Sequence, residues 1–389
     1  MIRICLAPRV LYLTRSTPPS DQVTVELLRI DNIIASAVSS IRWTGPNEDP
    51  TIDHSLLTLP LRMGGLGLLS LIDISPHSYS AAQQSSSAFL YPLIPSIPLP
   101  DTMSSQHDRC AEMHLLNRQT LFQHLDDPLR LFVIENASVI GRRWLTAFPA
   151  FKSLRLTDAD VSTALQVRTL STTFFTICKA CGQVRVPLSH ADTCSATTSH
   201  RTRRHEVFKY ALGRALSSAP GGRVDYEPLA FDTPTNTPKY NDIRFHGSIE
   251  ADMGPLEFDT KVASLHSTSR PPLREIRALQ IADDPVRSTE LVALLHLRLV
   301  NTRARVNLNS PSTDGPFHPA VLSAGGLAES EFAQVLNNLK RKLPPGVLSI
   351  MLQSISIGLV RNRSLAISDI QGTSQPRPAH SLDRGLPVT

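Results

Sequence analysis

The stretch Cys178-Lys-Ala-Cys181, followed by His190 and Cys194, constrains this chain more than any other. Two cysteines separated by two residues can close a tight turn on one metal ion, and a His and a Cys nine and thirteen positions after Cys181 complete a tetrahedral set of four ligands. Cysteines used as small hydrophobes would be scattered, as Cys5 and Cys110 are; three of the five fall within seventeen residues. The spacing predicts a structural Zn2+ site over residues 171–200, with unrelated thiols as the plain alternative. An odd cysteine count fits a reducing compartment. The first apolar run, Ile4 to Leu13, is broken by Pro8 and Arg9 and is too short to span a bilayer, so the expectation is a nuclear or cytoplasmic chain, neither secreted nor membrane-bound. Arg3, Arg9 and Arg15 precede any acid, a thin likeness to a mitochondrial presequence.

With 389 residues the chain can build two or three domains with sizeable cores. The formal charge of +5 tilts it toward polyanions. Charge is densest just behind the cysteines, where Arg201, Arg203, Arg204, Lys209 and Arg214 face the single acid Glu206, with His205 among them. Such a patch can neutralise phosphates, which makes Arg201, Arg203, Arg204, His205 and Lys209 candidate nucleic-acid contacts; a solvated helix face is the alternative. The 30 prolines exceed the usual share of about 5% and gather in joints, notably Pro92 to Pro100. From Ser364 onward the chain is polar and rich in Pro, Arg and Ser, the composition of a disordered tail.

Ser20 is placed to cap a helix whose apolar positions Leu27, Ile30, Ile34, Val38 and Ile41 recur at helical spacing. A second helix is expected from about Asp108 to Leu125, and a third opens at Thr157 with Asp160 three residues on, close to a capping box. Beyond the cysteines, residues 203–216 read as a helix, and Ile243 to Ile249 and Leu256 to Ala263 alternate as strands around a turn at Met253-Gly254-Pro255. Helices resume over 286–298 and again around Phe332, Val335, Leu336 and Leu339. Gly64, Gly65 and Gly67 fit a tight turn and no phosphate loop. His246 and His266 are expected to be structural hydrogen bonders, and Trp43 and Trp144 core anchors.

A period of two puts Glu257, Asp259 and Lys261 on one face of the second strand. Asp242 stands before the first strand, giving Asp, sixteen residues, then Asp-Thr-Lys. Two carboxylates on adjacent strands make a hard oxygen site for Mg2+ or Mn2+, and a neighbouring lysine can stabilise charge in phosphodiester hydrolysis. This is the logic of a PD-(D/E)xK nuclease core. A surface salt-bridge face is the alternative.

Leu59-Pro-Leu-Arg-Met-Gly-Gly-Leu-Gly-Leu68 resembles the phrase that follows the polymerase palm in non-LTR retrotransposon reverse transcriptases. Residues 141–149, 156–160 and 164–168 resemble the linker that comes next in such elements. The Cys-Cys-His-Cys set, Arg204-His205-Glu206, Glu227-Pro228, Asn241-Asp242-Ile243, residues 258–262 and residues 317–326 resemble their zinc knuckle and restriction-like endonuclease. Asn241 stands where a proline usually precedes the first acid. The resemblance covers roughly residues 5–340 and implies an α+β chain: a mostly helical N-terminal half, a small zinc knuckle, and a restriction-endonuclease-like α/β core with a helical C-terminus. The implied layout is a thumb remnant at 1–90, a helical linker at 91–170, the knuckle at 171–200, the endonuclease at 201–330, helices at 331–363 and a tail at 364–389.

By this likeness Cys178, Cys181, His190 and Cys194 hold zinc, Arg204 and His205 contact DNA backbone, and Asp242, Asp259 and Lys261 form the nuclease centre, with Asp242 and Asp259 on magnesium or manganese. DNA is the implied partner, with element RNA and a separate reverse transcriptase polypeptide as further ones. A polymerase palm would precede Leu59, and only 58 residues do; Ile281-Ala-Asp283-Asp284 reads as a helix terminus or turn. The chain is therefore expected to nick DNA without polymerising it. The alternatives are a zinc-knuckle nucleic-acid binder whose nuclease centre has decayed, and a degenerate reading frame that makes no stable protein.

Overall fold

The structure, a computed structural model, describes residues 7–43, 50–98, 105–231, 239–247, 256–267, 284–307 and 317–373. Seven helices come first: α1 (Ala7–Ser16), α2 (Asp21–Arg42), α3 (Pro50–Thr58), α4 (Leu71–Leu90), α5 (Gln106–His124), α6 (Asp127–Ala137) and α7 (Asp158–Arg168). Their starts are chemical. The side chains of Ser20, Ser70, Ser105, Asp126 and Thr157 each accept a hydrogen bond from a backbone N–H of the first turn, worth about 1 kcal/mol apiece. At Thr157 the box is reciprocal, since Asp160 accepts from the Thr157 N–H in return.

A hairpin of β1 (Phe174–Ile177) and β2 (Val184–Pro187) leads to the short α8 (His190–Thr193) and then α9 (Thr198–Ser217). The strands β3 (Arg223–Tyr226), β4 (Leu229–Phe231), β5 (Lys239–Tyr240), β6 (Ile243–His246) and β7 (Leu256–Ala263) follow, then α10 (Pro285–Asn307), β8 (Phe317–Ser323), α11 (Ser330–Lys342) and α12 (Val347–Gln371). The main sheet has the order β3-β6-β7-β8, antiparallel except for the parallel pair β7/β8. A parallel pair cannot be joined by a hairpin, and α10 supplies the long connection it needs. Phe208 and Leu212 of α9 pack with Phe245 and Phe258 of the sheet, while Ala293 and Leu297 of α10 share the other core with Val321.

That second core ignores the expected domain limits. It joins Phe122 and Phe132, Phe175 and Cys178 of the hairpin, Val321 of the sheet, and Ile367 and Ile370 of α12. The fold is thus α+β, with two main cores and a small separate cluster of Val10, Leu27 and Leu71 among α1, α2 and α4. Helix α12 also corrects the expected tail: the chain stays helical from Ser364 to Gln371, with Ser364, Ala366, Ile367 and Ile370 buried, and the Lys179 N–H donates to the Ile370 carbonyl at 2.7 Å. The helix stops at Gly372, in the left-handed region at φ 70°.

The glycine-rich phrase at 59–68 is a folded turn whose job is structural. Its Gly64 has φ +102°, and a Cβ on Gly65 would meet the Leu59 carbonyl oxygen at 2.2 Å. The buried Arg168 guanidinium closes the turn by donating to the carbonyls of Leu61, Gly65 and Asn136. Burial, and then the neighbouring Arg142, pull that guanidinium down to about 9. Trp43, expected in the core, is 66% exposed at the left-handed C-cap of α2; the anchor is its neighbour Arg42, buried against Asp53 at 2.8 Å and Thr169 at 3.1 Å. Trp144 is half-buried, with its N–H on Ser356 Oγ. Asp284 caps α10 through the N–H groups of Val286 and Arg287. Residues 281–283, the turn at 253–255 and Cys5 lie outside the described residues.

Candidate functional site

Cys178 closes strand β1, and its N–H donates to the Gln183 carbonyl while its own carbonyl accepts from Gly182, at 2.8 and 2.7 Å. That narrow turn, possible because Gly182 takes φ +78°, folds Cys181 back over the hairpin. One helical turn, α8, then brings His190 and Cys194 to the same point. The four ligand atoms all lie within 4.8 Å of one another. Cys178 Sγ is 4.0 Å from Cys194 Sγ, and Cys181 Sγ is 3.3 Å from His190 Nε2. Zn–S and Zn–N bonds of about 2.3 and 2.0 Å at tetrahedral angles put such atoms roughly 3.5 to 3.8 Å apart, so the cluster fits one ion with small adjustment. Burial pushes the Cys178 thiol up, whereas the Gln183 N–H holds the Cys181 thiol down. A metal would select the thiolates of both.

The knuckle is fastened by charge. Asp192, inside α8, accepts from Arg204 of α9 and from Arg363 of α12 at 2.7 Å, and Arg363 also reaches Glu135 of α6 at 3.4 Å. Burial alone would raise the Asp192 carboxyl, but Arg363 and Arg204 outweigh it and hold it far below the usual range. Here the expected phosphate contacts need correction. Arg204 and Lys209 are buried, and Lys209 Nζ binds Glu206 and Glu227, both at 2.9 Å, which against the opposing effect of burial pushes its ammonium up to about 12. A charge count along α9 cannot tell which side of the helix turns inward. Arg201 and Arg203 are exposed, Arg201 bonding the carbonyls of Thr193 and Cys194 beneath it.

Asp242 immediately precedes β6, and its N–H donates to the Phe258 carbonyl at 3.1 Å. The register Ile243↔Phe258 and Arg244↔Glu257, carried one step on, sets Asp242 across from Asp259. Burial raises the Asp259 carboxyl, Lys261 lowers it, and the Asp242 carboxylate, within hydrogen-bonding reach, raises it again; the balance is upward. Lys261 Nζ donates to Asp259 Oδ1 at 2.8 Å. Asp242 Oδ2 accepts from the Thr260 N–H at 2.6 Å and the Thr260 hydroxyl at 2.7 Å. His205 Nε2 lies 3.0 Å from that same oxygen and 2.9 Å from Thr260 Oγ1. With the hydroxyl proton directed at Asp242, both neighbours of this ring nitrogen are acceptors, so Nε2 carries the proton.

His205 therefore faces the acid pair and not a phosphate-facing surface. Sequence reasoning missed this role, and missed Thr260, although both sit inside phrases it had marked. Glu257, on the face of Asp259, is not free to join it: it is buried and bound by Arg244 and Asn241. His246 pairs with Asp225 at 2.6 Å, and His266 stacks on Phe132. Among the described residues no helix is long and apolar enough to cross a membrane. Comparison with known proteins adds no name to this geometry: no family model matches the chain, and no curated protein matches it significantly.

Proposed function

We propose that this chain is a retroelement-derived, metal-dependent DNA endonuclease that nicks target DNA for target-primed integration and has no polymerase activity of its own. The observation that carries the reading is Asp242 standing opposite Asp259 on paired strands, with Lys261 one side chain further along the same face. Asp242 and Asp259 would hold Mg2+ or Mn2+, since close carboxylates are the hard oxygen donors such an ion takes, and a cation there would offset the burial and the neighbouring Asp242 that raise Asp259. Such an ion, when bound, polarises a phosphate and eases ionisation of water.

The remaining work belongs to the chain. His205 Nε2 and both Thr260 donors converge on Asp242 Oδ2 and hold the carboxylate in place. Lys261, 44% exposed, favours the ionised form of Asp259 against the effect of burial and would offer a positive charge beside the place where negative charge develops on a phosphate. Arg201 and Arg203 supply exposed cations at the start of α9, so a strand gripped there lies on the same helix as His205, which touches Asp242. The Cys3His cluster pins that start. DNA is the substrate of this reading, with element RNA and a separate reverse transcriptase as partners of the same process, in nucleus or cytoplasm.

Supercoiled plasmid in Mg2+ or Mn2+ tests it. The wild-type chain converts plasmid to nicked circles, while Asp259→Ala and Asp242→Ala leave it supercoiled. Equal nicking by all three removes the acid pair from the mechanism. Retained binding by a wild type that cannot nick would leave only the binding role.

A further inference from the structure

A cleft of about 630 Å³ opens among α1, α5, the turn after α3 and the segment after α6, far in sequence from the knuckle and the acid pair. Arg15, Arg62, Arg142, Arg143 and His114 wall it, Leu69 and Ile74 give it an apolar side, and no carboxylate lines it among the described residues. Its volume lies within the roughly 300 to 1,000 Å³ of pockets that enclose small organic ligands.

The cations here have neutral partners. Arg15 donates to Gln106 Oε1, Arg142 to the Ala137 carbonyl and Arg143 to Ser349 Oγ. Arg143 Nε and His114 Nδ1 are buried with no hydrogen-bond partner. Burial draws the Arg142 guanidinium down, and the nearby Arg143 and Arg62 push it the same way, as expected where like charges crowd without a counter-ion. The nearest acid felt by His114 is Asp73, and Asp73 is already engaged by His54 at 2.9 Å and by Ser70. Four guanidinium groups around one concave space focus positive potential into it. Planar guanidinium forks match phosphate oxygens, and an apolar wall suits a base or sugar and gives nothing to a bare inorganic ion.

We propose that this cleft binds one nucleotide unit of a single-stranded nucleic acid, its phosphate on Arg62, Arg142 and Arg143 and its base against Leu69 and Ile74. A free nucleotide shares that chemistry and is the other source of the same ligand. The site does not rest on the nuclease reading, because none of the residues of α9 or of the acid pair lines it.

Cys110 lines the cleft and reports on it directly. In the zinc-loaded full chain, alkylation of Cys110 by iodoacetamide is followed by peptide mass spectrometry, with a short single-stranded oligonucleotide, ATP or orthophosphate added in separate arms. The expected result is that the oligonucleotide slows alkylation about fivefold, the slowing given by roughly four-fifths occupancy under mass action. Protection by ATP but not by the strand assigns the site to a free nucleotide. Arg62→Glu, which breaks no hydrogen bond within the described chain, should weaken protection about tenfold and lower its salt slope by about one. Arg15→Glu gives a second charge reversal, and Asp259→Ala, which ends nicking, should leave protection unchanged. Alkylation unaffected by every added ligand, or protection that survives both charge reversals, overturns the proposal.

Discussion

The Cys3His cluster and the acid pair span almost the same length of chain, yet they are built in opposite ways. Cys178 to Cys194 is drawn together by a hairpin turn and one turn of helix, closed by short-range backbone hydrogen bonds such as Gly182 to Cys178 and Cys194 to His190, and its two innermost thiols are fully buried in a core shared with α12. Asp242 and Asp259 meet only because β6 and β7 pair in one register, and Asp242 is held by a histidine 37 residues upstream. The first is a local structure anchored from behind. The second is a crossing point of three elements, with like charges left facing each other. A site made of turns is stabilising by design, whereas a site made of opposed carboxylates stores repulsion that a ligand relieves.

Removing metal from the knuckle is the strongest way to break that contrast. Structural zinc contributes folding free energy outright, on the order of 10 kcal/mol in small zinc peptides, and the shared core should retain part of it here. A strong chelator, or Cys178→Ser, is expected to lower the unfolding free energy measured by urea denaturation by more than about 3 kcal/mol and to abolish a stoichiometry of one zinc per chain measured by mass spectrometry. Unchanged stability and no bound zinc would reduce the cluster to adjacent thiols.

Asp192→Ala comes next in size. It strands Arg204 and leaves Arg363 with Glu135 alone, and breaking a buried pair from one side costs about 3–5 kcal/mol. Denaturant unfolding measures it. Because this carboxyl is held below its unfolded value, its stabilisation is present above the unfolded pKa and fades as pH falls toward the folded one, so the wild type should approach the variant only in strong acid. A loss below about 1 kcal/mol at neutral pH would mean that packing, not charge, fastens α8 to α9 and α12.

The same contrast explains what the sequence disclosed. Thr157 and Asp160, the strand from Leu256 to Ala263 and the Cys3His set are patterns of short spacing, and the structure brings each together where the pattern puts it. Arg204, Lys209 and His205 were grouped by charge, but their roles depend on Asp192, Glu227 and Asp242, which reach α9 through tertiary folding. Position along a helix says which residues share a face, not which face is covered. The residues from Ser364 to Gln371 escape a composition argument for the same reason: they continue a long helix, and Ala366, Ile367 and Ile370 are buried in a core shared with distant elements.

The smallest effect has the opposite sign and discriminates best. Asp259→Asn removes one of two facing carboxylates, so at neutral pH, without divalent metal, it should raise the melting temperature slightly where Asp192→Ala lowers it. Asp259 has a raised pKa in the folded chain, from burial and then from Asp242 against the opposing pull of Lys261. The folded state therefore holds its proton longer than the unfolded one, and wild-type stability declines as pH rises from about 3.9 toward that raised value. The gain from Asn should be absent in acid, grow through that window and level off above it. Saturating Mn2+ should reverse the ranking, since only the wild type can offer both carboxylates to the ion. If Asn destabilises at every pH with or without Mn2+, Asp259 is a partner for Lys261 and nothing more, and the two regions are alike after all.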